Sequence, residues 1–409
     1  MFIFRLRVNE LGFVARMFLL APYIFFGVGL SLLWLFDWGL VNPGELMVIL
    51  LLPFIYWIVG FAPIRAAIKQ FKSLLIIFVV LSIIGLLGAF VGAIFVNTDL
   101  MLVNVFAIFR LLFDCLLIYL TVVLVGFYRL GIYSALSLGL VISCLLNLVD
   151  WMGRGMAYES LAGQNTLGFV IALGFPYILF RLLFRSVNIY RLVMNLLVVL
   201  IVVVSGLLTW SKGAWIGMLI TTTILVIYWG AASVKKSITA IVLVMAVSFI
   251  ATEFFGSQLY KLVETEITAS AGSASNEMRE VQILNGILIG LEYPFGVGNK
   301  TYYTAARSLG LEFVSGGTPP DPHNSYVHVM SGFGLIGLIP YLLIMFYPMY
   351  ILLRVRALMP ARDFVMQCVV LISIYFQGMV TGEVFTQPLA WVLMGSCLGV
   401  SWAYTQRKS

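Results

Sequence analysis

Charge is what this sequence has least of. Asp, Glu, Lys and Arg make up 10% of its 409 residues, against 62% hydrophobic residues. So few charges cannot solvate a globular surface, which excludes a soluble domain and points to a polytopic helical membrane protein. Short segments of alternating polar and apolar residues are also missing; the apolar runs are long, which excludes a membrane β-barrel. Cysteine occurs four times, as Cys115, Cys144, Cys368 and Cys397, each within an apolar run and none at metal-ligand spacing. These read as small core residues. Histidine occurs twice. There is no DxD carboxylate pair, no HExxH and no Cys/His cluster, so equipment for metal-dependent transfer from a nucleotide sugar is absent. One GxGxxG match, Gly332 to Gly337, follows no strand and lies in an apolar run. It reads as small residues for close helix packing.

What is there is a series of apolar runs. Membrane spans are expected at 17–36, 46–62, 73–96, 100–127, 130–149, 166–184, 188–208, 213–231, 237–255, 326–352, 364–381 and 387–404. The fold class is therefore all-α, with about 12 transmembrane helices. Arg5, Arg7 and Arg16 precede a run long enough to remain as the first span. With the N-terminus inside, 17 of the 24 basic residues fall in inner segments. Only Arg154, Lys212, Lys261, Arg279, Lys300 and Arg307 fall outside, and Arg110 lies within a span. The bias recurs at each inner segment, so both termini are expected in the cytoplasm. The net charge of +7 is thus a topology signal and does not indicate nucleic acid.

Two outer connections are long, Asp150 to Asn165 and Gly256 to Ser325. The second divides the chain into 1–255 with nine spans, the loop 256–325, and 326–409 with three spans, all one membrane domain. At about 70 residues this loop should have structure of its own. Met278, Val281, Leu284, Ile287, Leu288 and Leu291 recur at helical spacing, which predicts an amphipathic helix on the outer membrane surface or capping the bundle. Pro294, Gly296 and Gly298 should end it in a tight turn.

The basic residues that survive outside are candidates for binding an anion. Lys212 sits in Ser211-Lys212-Gly213-Ala214-Trp215 between two spans; the duller reading is a snorkelling lysine. Arg279 is expected in the first turn of the loop helix, where a cation opposes the helix dipole. Arg154 lies in the other long outer loop. His323 follows the proline-stiffened Pro319–Pro322 and precedes Asn324, a good N-cap for the next helix. A helix N-terminus disfavours imidazolium, so a neutral ring there suits a general base; otherwise it is a backbone-bonded loop histidine. His328 reads as packing. Arg110 and Asp114, four apart in one span, share a helix face and are expected to pair structurally.

Three separated pieces then coincide: Ser211-Lys212-Gly213-Ala214-Trp215, Arg279 followed by Pro294-Phe295-Gly296-Val297-Gly298, and Pro322-His323-Asn324-Ser325-Tyr326 continuing to Gly334-Leu335-Ile336-Gly337. In this order, around one long loop, the chain resembles the bacterial O-antigen ligase and O-antigen polymerase family. Gly163-Gln164-Asn165 also looks familial. The resemblance is specific over about 209–340 and topological elsewhere. One departure is Lys212, where the family usually carries arginine; lysine keeps the charge but loses the bidentate fork.

The resemblance implies a bacterial inner-membrane glycosyltransferase with a large periplasmic loop and a periplasmic active site. It implies metal-independent, inverting transfer from an undecaprenyl-diphosphate-linked glycan to a sugar hydroxyl, with no cofactor. Catalysis would rest on His323, Arg279 and Lys212, and substrate binding on Arg154, Asn324, Ser211 and Trp215. The acceptor is a second lipid-linked glycan in a polymerase and lipid A-core in a ligase, with other polysaccharide-assembly proteins as further partners. The polymerase is favoured, since lysine at 212 looks more like some exopolysaccharide polymerases. A transporter of lipid-linked glycan is a reading from another class. It calls for a charged central pathway, at which only Arg110 and Asp114 hint.

Overall fold

The structure, a computed structural model, describes residues 13–28, 43–154, 164–185, 188–209, 211–231, 270–311, 322–381 and 387–407. Among them every regular element is helical. The first nine helices are α1 (Phe13–Val28), α2 (Pro43–Val59), α3 (Phe61–Gln70), α4 (Lys72–Phe95), α5 (Met101–Gly126), α6 (Ile132–Arg154), α7 (Gln164–Arg185), α8 (Ile189–Leu208) and α9 (Lys212–Gly230). After residues outside the described set come α10 (Ser270–Glu292), α11 (Tyr302–Ser308), α12 (Ser325–Arg354), α13 (Ala361–Val380) and α14 (Pro388–Thr405). Among the described residues eight helices are long and apolar enough to cross a membrane, or nine with α2 and α3, which bend by 95° at Gly60. Ten of the expected spans coincide with a helix; the run 17–36 is described only to residue 28, where it is helical, and the run 237–255 lies outside the described residues.

These helices form because their backbone groups pair internally, and the side chains around them are apolar on nearly every side. The lipid-like faces are plain on α8, where Leu192, Val193, Leu196, Leu197 and Leu200 are exposed. Apolar tails reward no burial there, so packing must come from close contact. At the centre stands α14, buried along most of its length and lying along α5. Small residues bring the pair together: a Cβ on Gly395 would sit 2.9 Å from the Ile118 carbonyl oxygen, and one on Gly126 would sit 2.7 Å from the Trp402 ring.

The intramembrane charges pair differently from expectation. Arg110 Nη2 lies 3.2 Å from Glu45 Oε1 in the first turn of α2. Asp114 is buried, and its Oδ1 accepts no hydrogen bond. Helical side chains lean toward their own N-terminus, so the Arg110 guanidinium reaches back toward Glu45 and away from Asp114, one turn ahead. Glu45 also sits where the α2 dipole favours an anion.

Candidate active site

The turn between α8 and α9 is built by its own side chains. Ser211 caps α9, its Oγ accepting from the Ala214 N–H at 3.4 Å. Trp215 Nε1 donates to the Gly206 carbonyl of α8 at 3.0 Å. Ser211 and Trp215 thus hold the turn together. Lys212, the first residue of α9, is exposed.

The N-terminus of α12 follows the sequence expectation. Asn324 is extended, and its Oδ1 accepts from the N–H groups of Tyr326 and Val327 at 3.0 and 3.1 Å. Such a cap stabilises a helix by about 1 kcal/mol. Its Nδ2 donates to the Met379 carbonyl at 3.0 Å, so both ends of the Asn324 amide are engaged. His323 is exposed just before it, and His328 is buried within α12.

One element joins these two ends, and no motif had marked it. The Ser325 N–H and Oγ both donate to the Thr381 carbonyl, at 3.0 and 2.8 Å, just past the end of α13. Four residues earlier, buried Gln377 donates through Nε2 to the Gly213 carbonyl of α9 at 2.9 Å. The last turn of α13 therefore holds the Lys212 segment on one side and the His323 segment on the other. The one available signal was a glutamine inside an apolar run, a residue that binds helices together through hydrogen bonds.

The third segment is seated by a break in α12. Gly334 has φ +72° and ψ 176°, outside the helical region, and interrupts the helix. The loop after α10 docks there. Val297 and Gly298 donate N–H groups to the Ser331 and Gly332 carbonyls at 3.2 and 2.9 Å, and Ile336 donates to the Pro294 carbonyl at 3.1 Å. The backbone groups freed by the break are thereby satisfied. Gly296, at φ +80°, lets the loop lie directly on the α12 backbone. Asn104 of α5 secures the far end: its Nδ2 donates to Thr301 Oγ1 at 2.7 Å and its Oδ1 accepts from the Lys300 N–H at 2.8 Å. The GxGxxG glycines thus serve chiefly a loop on a helix, where helix on helix was expected.

One expectation for α10 needs correcting. The helix begins at Ser270, so Arg279 lies in its interior and not in the first turn. The dipole argument for Arg279 therefore lapses; its exposure remains. The apolar stripe of α10 faces outward in part. Leu284, Leu288 and Leu291 are exposed, while Gln282, Asn285 and Ile289 are buried. Small Gly286 and Gly290 let α10 approach α12 closely, with a Cβ on Gly290 falling 2.6 Å from Met330 Cγ. Close approach therefore selects the glycine face, leaving the leucines outward. The Arg154 side chain, at the end of α6, lies outside the described residues.

Residues 196–342 match the family model described as O-antigen ligase. The matched stretch runs from α8 through the break in α12 and contains Lys212, Arg279 and His323. No curated protein matches the chain. In this multi-pass helical membrane protein the stretch 196–342 is thus similar to the O-antigen ligase family, a likeness that supports a membrane glycosyltransferase-like function.

Proposed function

We propose that the protein is a polysaccharide polymerase of the bacterial inner membrane, acting on the periplasmic face with twelve spans and cytoplasmic termini. The donor is a glycan on undecaprenyl diphosphate, and the acceptor is the terminal hydroxyl of a second lipid-linked glycan. The carrying observation is the last turn of α13, which ties the Lys212 end of α9 and the His323 end of α12 to one support. A cation and a histidine at one end of a bundle suit displacement of a diphosphate. Residues 256–325 form the periplasmic loop in this reading.

In the proposed reaction the acceptor oxygen attacks the anomeric carbon as the bond from that carbon to the diphosphate breaks. His323 takes the hydroxyl proton, and the configuration inverts. The departing diphosphate gains negative charge, which Lys212 and Arg279 neutralise through charge-assisted contacts. The α12 N-terminus disfavours a cation beside it, which suits His323 to act as a base. No metal takes part. Ser211, Trp215 and Asn324 position the two catalytic segments through the bonds described above, and Arg154 meets the glycan.

The family description favours a second reading, a ligase that transfers the glycan to lipid A-core. Glycan analysis of a deletion strain separates the two. Lipid A-core capped by a single repeat is expected from a lost polymerase. Long chains stranded on undecaprenyl diphosphate would identify a ligase. With purified protein and lipid-linked donor, His323→Ala should lower turnover about 10²–10⁴-fold and chelator should leave it unchanged. Near-normal turnover in His323→Ala would remove the histidine from the chemistry, and EDTA inhibition reversed by magnesium would overturn the metal-free step.

A further inference from the structure

We propose that Gln282 is a further substrate-binding residue, its side-chain amide held ready for a sugar hydroxyl beside Arg279. The inference rests on glycosyl transfer at the site proposed above. Gln282 is 2% exposed, yet neither its Nε2 nor its Oε1 has a hydrogen-bond partner. A buried amide unsatisfied at both ends is rare and destabilising, because both groups lose water and gain nothing. Its neighbours on the same face of α10, Asn285, Gly286 and Ile289, are buried as well. An apolar residue would satisfy packing there without that penalty, so the amide calls for a partner that arrives later.

The register of α10 on α12 says where that partner would lie. Gly290 stands against Met330, and Gly286 stands against Val327, with Pro322 Cβ 3.7 Å from the position of a Gly286 Cβ. Gln282 lies one turn before Gly286, on the side of Arg279. Helical side chains lean toward the N-terminus, which carries the amide in the same direction. Arg279 lies three residues earlier on α10, near enough to share a ligand with Gln282. The Tyr302 hydroxyl donates to the Gln282 carbonyl at 2.8 Å, fixing this turn of the helix. The chemistry of the ligand follows from the group. A primary amide both donates and accepts, as a sugar hydroxyl does, whereas a diphosphate would use only the donor.

Stability and activity should move in opposite directions. Gln282→Leu removes both unsatisfied groups at similar volume, so its melting temperature in detergent without substrate should equal or exceed that of the wild type. With lipid-linked glycan extracted from the producing cell as donor and acceptor, its kcat/KM should fall about tenfold to hundredfold, through KM. Gln282→Asn keeps an amide but withdraws it by one methylene, and should also raise KM with the melt unchanged. Wild-type KM in either variant would overturn the proposal. So would a drop in melting temperature that accounts for the lost activity, which would make Gln282 a structural residue. A wild-type protein that does not turn over this glycan at all would instead sink the glycosyl-transfer reading itself.

Discussion

Replacing Gly334 with alanine should unseat the Pro294–Gly298 loop while the bundle stays folded. At φ +72° and ψ 176° an L-residue is strained by about 1–3 kcal/mol. The added Cβ would lie 2.5 Å from the Gly296 nitrogen and closer still to the Pro294 carbonyl. Both are backbone atoms, so no rotamer relieves the clash, and the loop must withdraw. Withdrawal gives up the bonds from Val297, Gly298 and Ile336, about 1 kcal/mol each. Strain and lost bonds together come to roughly 4–6 kcal/mol. Against this the loop region has only a small core of its own, Ile289, Val297, Tyr302, Ala305 and Ala306, separate from the main one. Gly310 supplies the control: its φ is +66°, and a Cβ there would meet nothing within 4 Å. Gly310→Ala should cost only the local strain, about 1–2 kcal/mol. Limited proteolysis between 293 and 301, a thermal melt in detergent and a transfer assay together give the answer. Gly334→Ala should be cut in this loop and inactive, with the main melting transition retained. A Gly334→Ala protein as protease-resistant and active as Gly310→Ala would refute the docking of this loop on the α12 break.

Lys212→Ala should lower turnover of the lipid-linked donor about tenfold to hundredfold without changing the melt, since the side chain is exposed. Lys212→Arg should retain substantial activity, and an inactive but folded Lys212→Arg protein would point to another role for the lysine. Arg110→Leu should strand buried Glu45 at a cost of about 3–5 kcal/mol, seen as reduced folded yield. Adding Glu45→Leu should restore much of that yield; a double variant no better than the single would show that the ion pair is not the cause. Ser273→Cys should react with a membrane-impermeant thiol reagent in cells whose outer membrane alone is permeabilised. Labelling only after lysis would reverse the proposed orientation.

Local chemistry was legible in the residues taken alone. Apolar runs place the helix ends within a few residues, because in hydrocarbon a helix satisfies its own backbone and nothing else need be known. The Asn324 cap and the Pro294-Gly296-Gly298 turn were equally plain, since both depend on residues adjacent in the chain. Contacts between distant segments were not. Arg110 takes Glu45, 65 residues away, because the direction in which its side chain leans decides between two available carboxylates. The leucines of α10 turn outward because close backbone approach selects Gly286 and Gly290 for the interface, and a hydrophobic period does not weigh small residues. Gln377 and Thr381 carry no motif, yet their bonds to Gly213 and Ser325 support both the Lys212 and the His323 segments. Lys212 and His323 could be proposed as chemistry from their neighbours in the chain. Their attachment to one turn of α13 comes from helix packing, which joins residues 164 and 56 positions apart and leaves no local trace.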